Sequence, residues 1–274
     1  MKTVVRGGSR ADLEVLFRMS AAVHQVVRDA AGSPRRAEVV AMGADGSPTE
    51  ELDRVAESEI RRLLDAEGVD WDLLSEEIGL VRRGGELTLV VDPIDGTANT
   101  LRNLPFSTVS LALGRRDLRG IELGVVRDLY RGTTYWAARG GGAFRDGRPI
   151  HTRPWNAKND LFFLNLGRFA TERTVRLANR IRRVRSLGCA SLEMLMVAEG
   201  AADAYVFENA PDSRNLRATD IAASYLILRE AGGDVSDVDG GPLEEFPLGL
   251  ERHASVLGFG DRAFAAAAHG GGYL

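Results

Sequence analysis

The chain has 274 residues, of which 44% are hydrophobic: too many for disorder, and enough for one large domain or two closely packed lobes. Lys plus Arg number 35 against 39 Asp plus Glu, so the formal charge is −4, which speaks against a nucleic-acid binder and a polybasic membrane anchor. The single cysteine, Cys189, allows no internal disulfide and points to a reducing, cytoplasmic setting, and no stretch reaches the ~18 uninterrupted apolar residues of a membrane span.

From the N-terminus, Leu13, Leu16, Phe17, Val23 and Val27 recur at helical spacing over residues 10–31. His24 lies among them and reads as a core-edge histidine. Residues 43–49 are loop by composition, and Thr49 is placed to cap a helix over 50–66 with an apolar face of Leu52, Val55, Ala56, Ile60 and Leu63. Residues 70–74 read as extended. Residues 87–91 form a buried strand that ends at Asp92-Pro93, where Pro removes a ladder donor. Val109, Leu111 and Leu113 alternate as in a half-buried antiparallel strand, and further strands are expected at 121–126, 133–138 and 143–145.

The second half alternates strands and helices. Strands are expected at 161–166, 184–188, 204–207 and 255–258, and helices at 171–183, 191–199, 220–231 and 262–268. The pattern predicts an α+β lobe over residues 1–154 packed on an α/β lobe over 155–274, with the boundary near Pro154.

Chemistry concentrates in carboxylates. Asp92-Pro93-Ile94-Asp95-Gly96-Thr97 sets two acids around a rigid Pro at the end of an apolar strand. It reads either as a surface Asp-Gly turn or as a site for a hard cation with oxygen ligands, in which Gly96 and Thr97 offer backbone N–H groups to a phosphate. The adjacent Glu76 and Glu77 read by themselves as a solvated pair, Asp53 as an exposed helix acid, and Asp220 as the cap of the long helix that follows. His24, His151, His253 and His269 lack the spacing of zinc ligands. Of the 31 glycines, Gly96 and Gly188 each follow an apolar strand where backbone would approach a phosphate or a sugar.

Taken together, Leu74-Ser75-Glu76-Glu77, the run 91–99, and Thr219-Asp220-Ile221-Ala222-Ala223 followed by Glu230-Ala231-Gly232-Gly233 resemble the inositol monophosphatase family. Residues 43–49 and Arg217-Ala218-Thr219-Asp220 resemble its archaeal fructose-1,6-bisphosphatase/inositol-1-monophosphatase branch. The resemblance implies a layered αβαβα sandwich, usually a homodimer, that hydrolyses sugar or inositol phosphates with two or three Mg²⁺ ions. It implies metal ligation by Glu76, Asp92, the Ile94 carbonyl, Asp95 and Asp220. Asp53 corresponds to an acid of the metal and water network, and Thr97 and Glu76 to the groups that orient the attacking water. Asp95, Gly96, Thr97, Arg185, Ala190 and Arg214 correspond to substrate contacts.

Thr100 and Thr219 stand where many members carry aromatics, which bears on the substrate rather than on the reaction. Arg185 and Arg214 could pair with a second phosphate or be ordinary surface arginines. The alternatives are a nucleotide 3′-phosphate or NADP phosphatase on the same chemistry, and a silent sugar-phosphate-binding homologue. No partner beyond the small phosphorylated substrate and a second copy of the chain is expected.

Overall fold

The computed structural model describes residues 9–210 and 215–270. Helices α1 (Arg10–Ala30) and α2 (Glu51–Ala66) flank a short hairpin of β1 (Val39–Met42) and β2 (Pro48–Glu50). There follow β3 (Asp72–Ser75), β4 (Gly79–Val81), β5 (Thr88–Asp95), the one-turn helix α3 (Thr97–Leu101), β6 (Thr108–Gly114), β7 (Ile121–Asp128), β8 (Thr134–Ala138), β9 (Ala143–Arg145) and β10 (Arg148–Ile150). The remainder is β11 (Phe162–Leu164), α4 (Glu172–Ala178), β12 (Val184–Arg185), α5 (Ala190–Ala198), β13 (Ala204–Phe207), α6 (Ala218–Glu230), β14 (Asp234–Ser236), β15 (Val256–Phe259) and α7 (Arg262–Gly270).

Eight strands form one sheet in the order β10-β9-β8-β7-β6-β5-β3-β4, and five form a second in the order β12-β11-β13-β15-β14. The first sheet turns Leu89, Val91, Leu111 and Val125 toward Leu16, Met19 and Val23 of α1 and Leu52, Ala56 and Ile60 of α2. Its other face, with Leu74, Val90, Ala112 and Val126, meets α5 and α6, which also cover Tyr205 and Val256 of the second sheet. Beyond that sheet, Phe162, Val206 and Leu257 pack on Leu177 of α4 and Phe264 of α7. The layers run αβαβα, as the resemblance implies.

Period-2 alternation divides each central strand between two cores, which is why 87–91 reads as a continuous apolar run. Helix α6 lies between two sheets and is buried from Ala218 to Leu228 at every residue but Asp220. It approaches β7 so closely that a Cβ on Gly124 would stand 2.9 Å from the Ala223 carbonyl oxygen. Residues beyond 155 thus supply the central helix layer to both sheets. Among the described residues no helix is long and apolar enough to cross a membrane.

Three local expectations need correction. The loop expected over 43–49 gives way at Pro48 to β2, which pairs with β1, a strand no expectation covered; β1 is exposed along its length, so hydrophobic periodicity gave no signal for it. Thr49 does not cap α2: its hydroxyl donates to Glu77, and the Glu50 amide is met by Asp53 Oδ2 at 3.3 Å. Helix α4 stops at Ala178 rather than Arg183, because the Arg182 amide is taken by Asp160 Oδ1 at 2.8 Å and the chain turns into β12. The Thr171 hydroxyl caps α4 by accepting from Thr174 N at 3.1 Å.

Candidate active site

Strands β3 and β5 are parallel neighbours with Ser75 opposite Val91, so the residues that follow, Glu76 and Asp92, arrive at the same end of the sheet. Between Asp92 and Asp95 the ladder slips: Asp92 pairs with Ser110 and Asp95 with Thr108, three residues against two. This bulge at Pro93-Ile94 puts Asp92 and Asp95 on one face, where a regular strand would send them to opposite faces. The face is the one on which α6 packs, and the first turn of α6 carries Asp220. Carboxylate oxygens of Glu76, Asp92 and Asp220 lie within 4.8 Å of one another. Among the described residues this trio is the one group of three or more such ligands so close together.

The surroundings fix each acid. Asp92 Oδ1 accepts from Ile94 N at 3.0 Å, and Asp220 Oδ2 accepts from Arg217 N at 2.5 Å. Asp220 therefore closes the first turn of α6, as a helix-start acid should, and also faces the other carboxylates. Asp95 accepts from Ala190 N at 3.3 Å and Ser191 N at 2.7 Å, so it satisfies the first amides of α5. Gly96 has φ +88° and stands at the N-cap of α3. A Cβ there would lie 2.7 Å from the Phe106 carbonyl oxygen and 3.3 Å from that of Gly188. Thr97 Oγ1 lies 2.9 Å from both Asp53 Oδ1 and the Ile94 carbonyl oxygen. Asp53 is 2% exposed, so the helix acid that looked solvated is buried against α3.

Burial and crowding act together on these groups. Burial, then the charges of Asp220 and Glu77, push the Glu76 carboxyl well above the usual carboxylate range. Burial, then Glu76 and Asp95, do the same to Asp92. Asp220 rises to about 6 through burial and Asp95, and Asp53 to about 8, chiefly through burial. Burial also raises Asp95, opposed by its hydrogen bonds from Ser191. Several carboxylates that repel one another in a confined space form a hard-oxygen donor set suited to a divalent cation.

A cavity of about 190 Å³ adjoins the acids and is lined by Asp95, Gly188, Ala190 and Asp220, with Glu193 and Tyr205 among the remaining wall. Ala190, expected as a substrate contact, is part of this lining. Arg185 is exposed on β12, does not line this cavity, and donates to the Val184 carbonyl oxygen at 2.8 Å. Arg214 lies outside the described residues. Cys189 is buried in the cavity wall, with its sulfur 3.4 Å from the Asp95 carbonyl oxygen, and burial holds its thiol up, which disfavours the thiolate.

Sequence reasoning missed the clasp around Asp45. In the β1–β2 loop the amides of Ala44 and Asp45 donate to the carbonyl oxygens of Glu77 and Glu76 at 2.9 and 3.0 Å. Arg217, the N-cap of α6, donates to Asp45 Oδ2 at 3.1 Å and to its carbonyl oxygen at 2.7 Å. One nearly buried ion pair so ties this loop, the Glu76 turn and the Asp220 helix together. The only local signal was a charged residue immediately before the apolar helix. Arg217→Ala leaves the Asp45 carboxylate, its side chain 7% exposed, without a counter-charge while Ser47 still donates to Oδ1, and is expected to cost about 3 kcal/mol of stability. Chemical denaturation checks this; a loss below about 1 kcal/mol would show that the clasp is solvent-screened.

Comparison with known proteins follows the same lines. The family model described as inositol monophosphatase family matches residues 10–265. The fructose-1,6-bisphosphatase/inositol-1-monophosphatase of Methanothermobacter thermautotrophicus is 36% identical over 264 residues, covering 90% of this chain and 91% of that protein. The bifunctional NADP phosphatase/NAD kinase of Methanococcus maripaludis is 35% identical over 272 residues, covering 89% of this chain but 46% of that protein. The crystal structure of the MJ0109 gene product, an inositol monophosphatase-fructose 1,6-bisphosphatase, superposes with a TM-score of 0.82 at 25% identity, covering 95% of this chain and 98% of that one.

Proposed function

The chain belongs to the inositol monophosphatase family and is a phosphoric monoester hydrolase, and from that premise we propose that it hydrolyses fructose 1,6-bisphosphate, inositol monophosphate or both in a Mg²⁺-dependent reaction. The observation that carries the metal requirement is the Glu76, Asp92 and Asp220 trio, whose oxygens meet within 4.8 Å. In this reading those three, Asp95 and the Ile94 carbonyl hold two or three Mg²⁺ ions. When bound, the ions would offset the negative charge of carboxylates and phosphoryl group and make water more acidic.

The chain's own groups do the rest. Thr97 Oγ1, steadied between Asp53 and the Ile94 carbonyl, orients the attacking water, and Glu76 takes its proton. The amides of Gly96 and Thr97 donate to phosphoryl oxygens, where negative charge spreads in the transition state. Gly96 serves because its left-handed backbone, pressed against Phe106 and Gly188, leaves no room for a side chain. Asp95, Ala190 and residues of the cavity wall contact the polyol, and Arg185 and Arg214 are candidates for a second phosphate. A homodimer in the cytoplasm completes the reading, on the strength of the family resemblance and a single buried thiol.

Phosphate release from fructose 1,6-bisphosphate, inositol 1-phosphate and NADP, each with Mg²⁺ and with chelator, tests it. Release from at least one polyol phosphate should exceed release from NADP and stop on chelation. Faster release from NADP would move the chain to the second reading, which the match to the bifunctional NADP phosphatase/NAD kinase favours. No metal-dependent release from any of the three would defeat both.

A further inference from the structure

Glu193 is a buried carboxyl that has no part in the metal binding or water activation proposed for this site. It stands in the first turn of α5, the single charged residue of that helix, and is 4% exposed. Burial raises its pKa to about 8. An acid in such a helix is costly unless its oxygens are engaged. They are engaged on one side: Oε1 accepts from Leu187 N at 2.6 Å and the Gly188 amide also donates to the carboxyl, so Glu193 pins the turn that leads into α5. That turn is gripped from the other side by Asn99 of α3, whose Nδ2 donates to the Leu187 carbonyl oxygen at 2.7 Å and to that of Phe106 at 2.8 Å. The carboxyl is thereby linked, through one turn, to the helix that carries Gly96 and Thr97 at its start.

Glu193 also lines the 190 Å³ cavity beside Asp95 and Asp220, on a wall that includes Asn165, Ser186 and Tyr205. Among the described residues this wall carries no lysine or arginine and is rich in acceptors. It fits a ligand that brings several O–H donors.

We propose that Glu193 is a specificity-determining residue that accepts a hydrogen bond from a hydroxyl of the substrate's polyol part while it fixes the Leu187–Gly188 turn. The proposal rests on the polyol-phosphatase reading and deepens it. A site built around a buried hydrogen-bonding group penalises a ligand that lacks the matching hydroxyl, because the group is then left unpaired.

Glu193→Gln and Glu193→Asp are the variants, assayed on the preferred polyol phosphate (inositol 1-phosphate or fructose 1,6-bisphosphate) and on 4-nitrophenyl phosphate, which has no hydroxyl groups on its ring. The ratio of kcat/KM between the two substrates is expected to fall about tenfold or more in Glu193→Gln, with KM for the polyol phosphate rising more than its kcat falls. Glu193→Asp, which keeps the charge and shortens the reach, should move the ratio the same way, and it carries the test if the glutamine variant fails to fold. A parallel loss on both substrates, leaving the ratio within about threefold, would assign Glu193 to the turn alone and overturn the proposal. A wild-type enzyme that cleaves 4-nitrophenyl phosphate but neither polyol phosphate removes the parent reading, and this proposal with it. If the wild type cleaves the polyol phosphate and the variants keep its KM, Glu193 does not contact the polyol, and the parent reading stands.

Discussion

Asp92→Asn is expected to abolish turnover while leaving the fold intact. Asp92 is 2% exposed at the end of β5, within reach of both Glu76 and Asp220, and its Oδ1 accepts from Ile94 N at 3.0 Å. Asn keeps the volume and that acceptor, so the bulge at Pro93-Ile94 should persist. What disappears is the central charge of the trio, and with it the affinity for a divalent cation. A fall in kcat on the order of 10³-fold or more is expected, about 4 kcal/mol of transition-state stabilisation. The melting behaviour separates this from unfolding. With chelator, the variant should melt at or above the wild-type temperature, because one of several mutually repelling carboxylates has been neutralised. With Mg²⁺, the wild type should gain stability and the variant should gain little. Wild-type kcat in Asp92→Asn would remove Asp92 from the metal site.

The second large effect is a pH dependence that Mg²⁺ should oppose. In the folded chain, burial and neighbouring acids raise Asp220 to about 6, Asp53 to about 8, and Glu76 and Asp92 well above the carboxylate range. In the unfolded chain these groups ionise near 4. Above pH 4 the folded state therefore binds more protons than the unfolded state, and stability falls as pH rises through the raised values. Carboxylates shifted the other way, such as Asp72 and Asp261, contribute stability that is lost only below about pH 4, outside this window, and His24, lowered by burial, is a single group set against the several raised acids. Without metal, the protein should melt lower at pH 8 than at pH 5.5. Mg²⁺ binds the ionised folded site, so at about 100 times its dissociation constant it adds about 2.7 kcal/mol. For a chain of this size that is roughly 5–10 °C. The increment should be larger at pH 8, where fewer protons compete. Equal increments at both pH values, or none, would mean that these acids do not hold the cation.

Much of the fold was legible because it depends on local pattern. The run 87–91 has apolar residues on both faces because two cores claim them, and the helix that begins near Asp220 is apolar all round for the same reason. Boundaries were less legible where tertiary contacts set them. Arg182 could have continued a helix, but Asp160 captures its amide. Strand β1 was invisible because it is exposed throughout and held by pairing with β2.

The candidate site divides in the same way. Asp92-Pro93-Ile94-Asp95-Gly96-Thr97 carries its own geometry: an acid at a strand end, a Pro that forces a bulge, and a Gly that admits a left-handed turn. Those six residues offer a cation and a phosphate site, beside the plainer reading of a surface Asp-Gly turn, before any fold is known. Glu76, Asp53 and Asp220 announce nothing individually, since each fits an ordinary surface pair, helix acid or cap. Parallel pairing of β3 with β5 brings Glu76 beside Asp92; packing of α6 brings Asp220; and the Thr97 hydroxyl reaches Asp53 across the α2–α3 contact. The Arg217–Asp45 clasp and the Glu193 wall join residues 172 and six positions apart, respectively, and neither spacing says whether a charge faces water or a cavity. The sequence by itself determined the chemistry on offer, because residue type and backbone restriction are local properties. Only the tertiary structure decided which acids share one space, because that depends on which strands are neighbours and which helix face is buried.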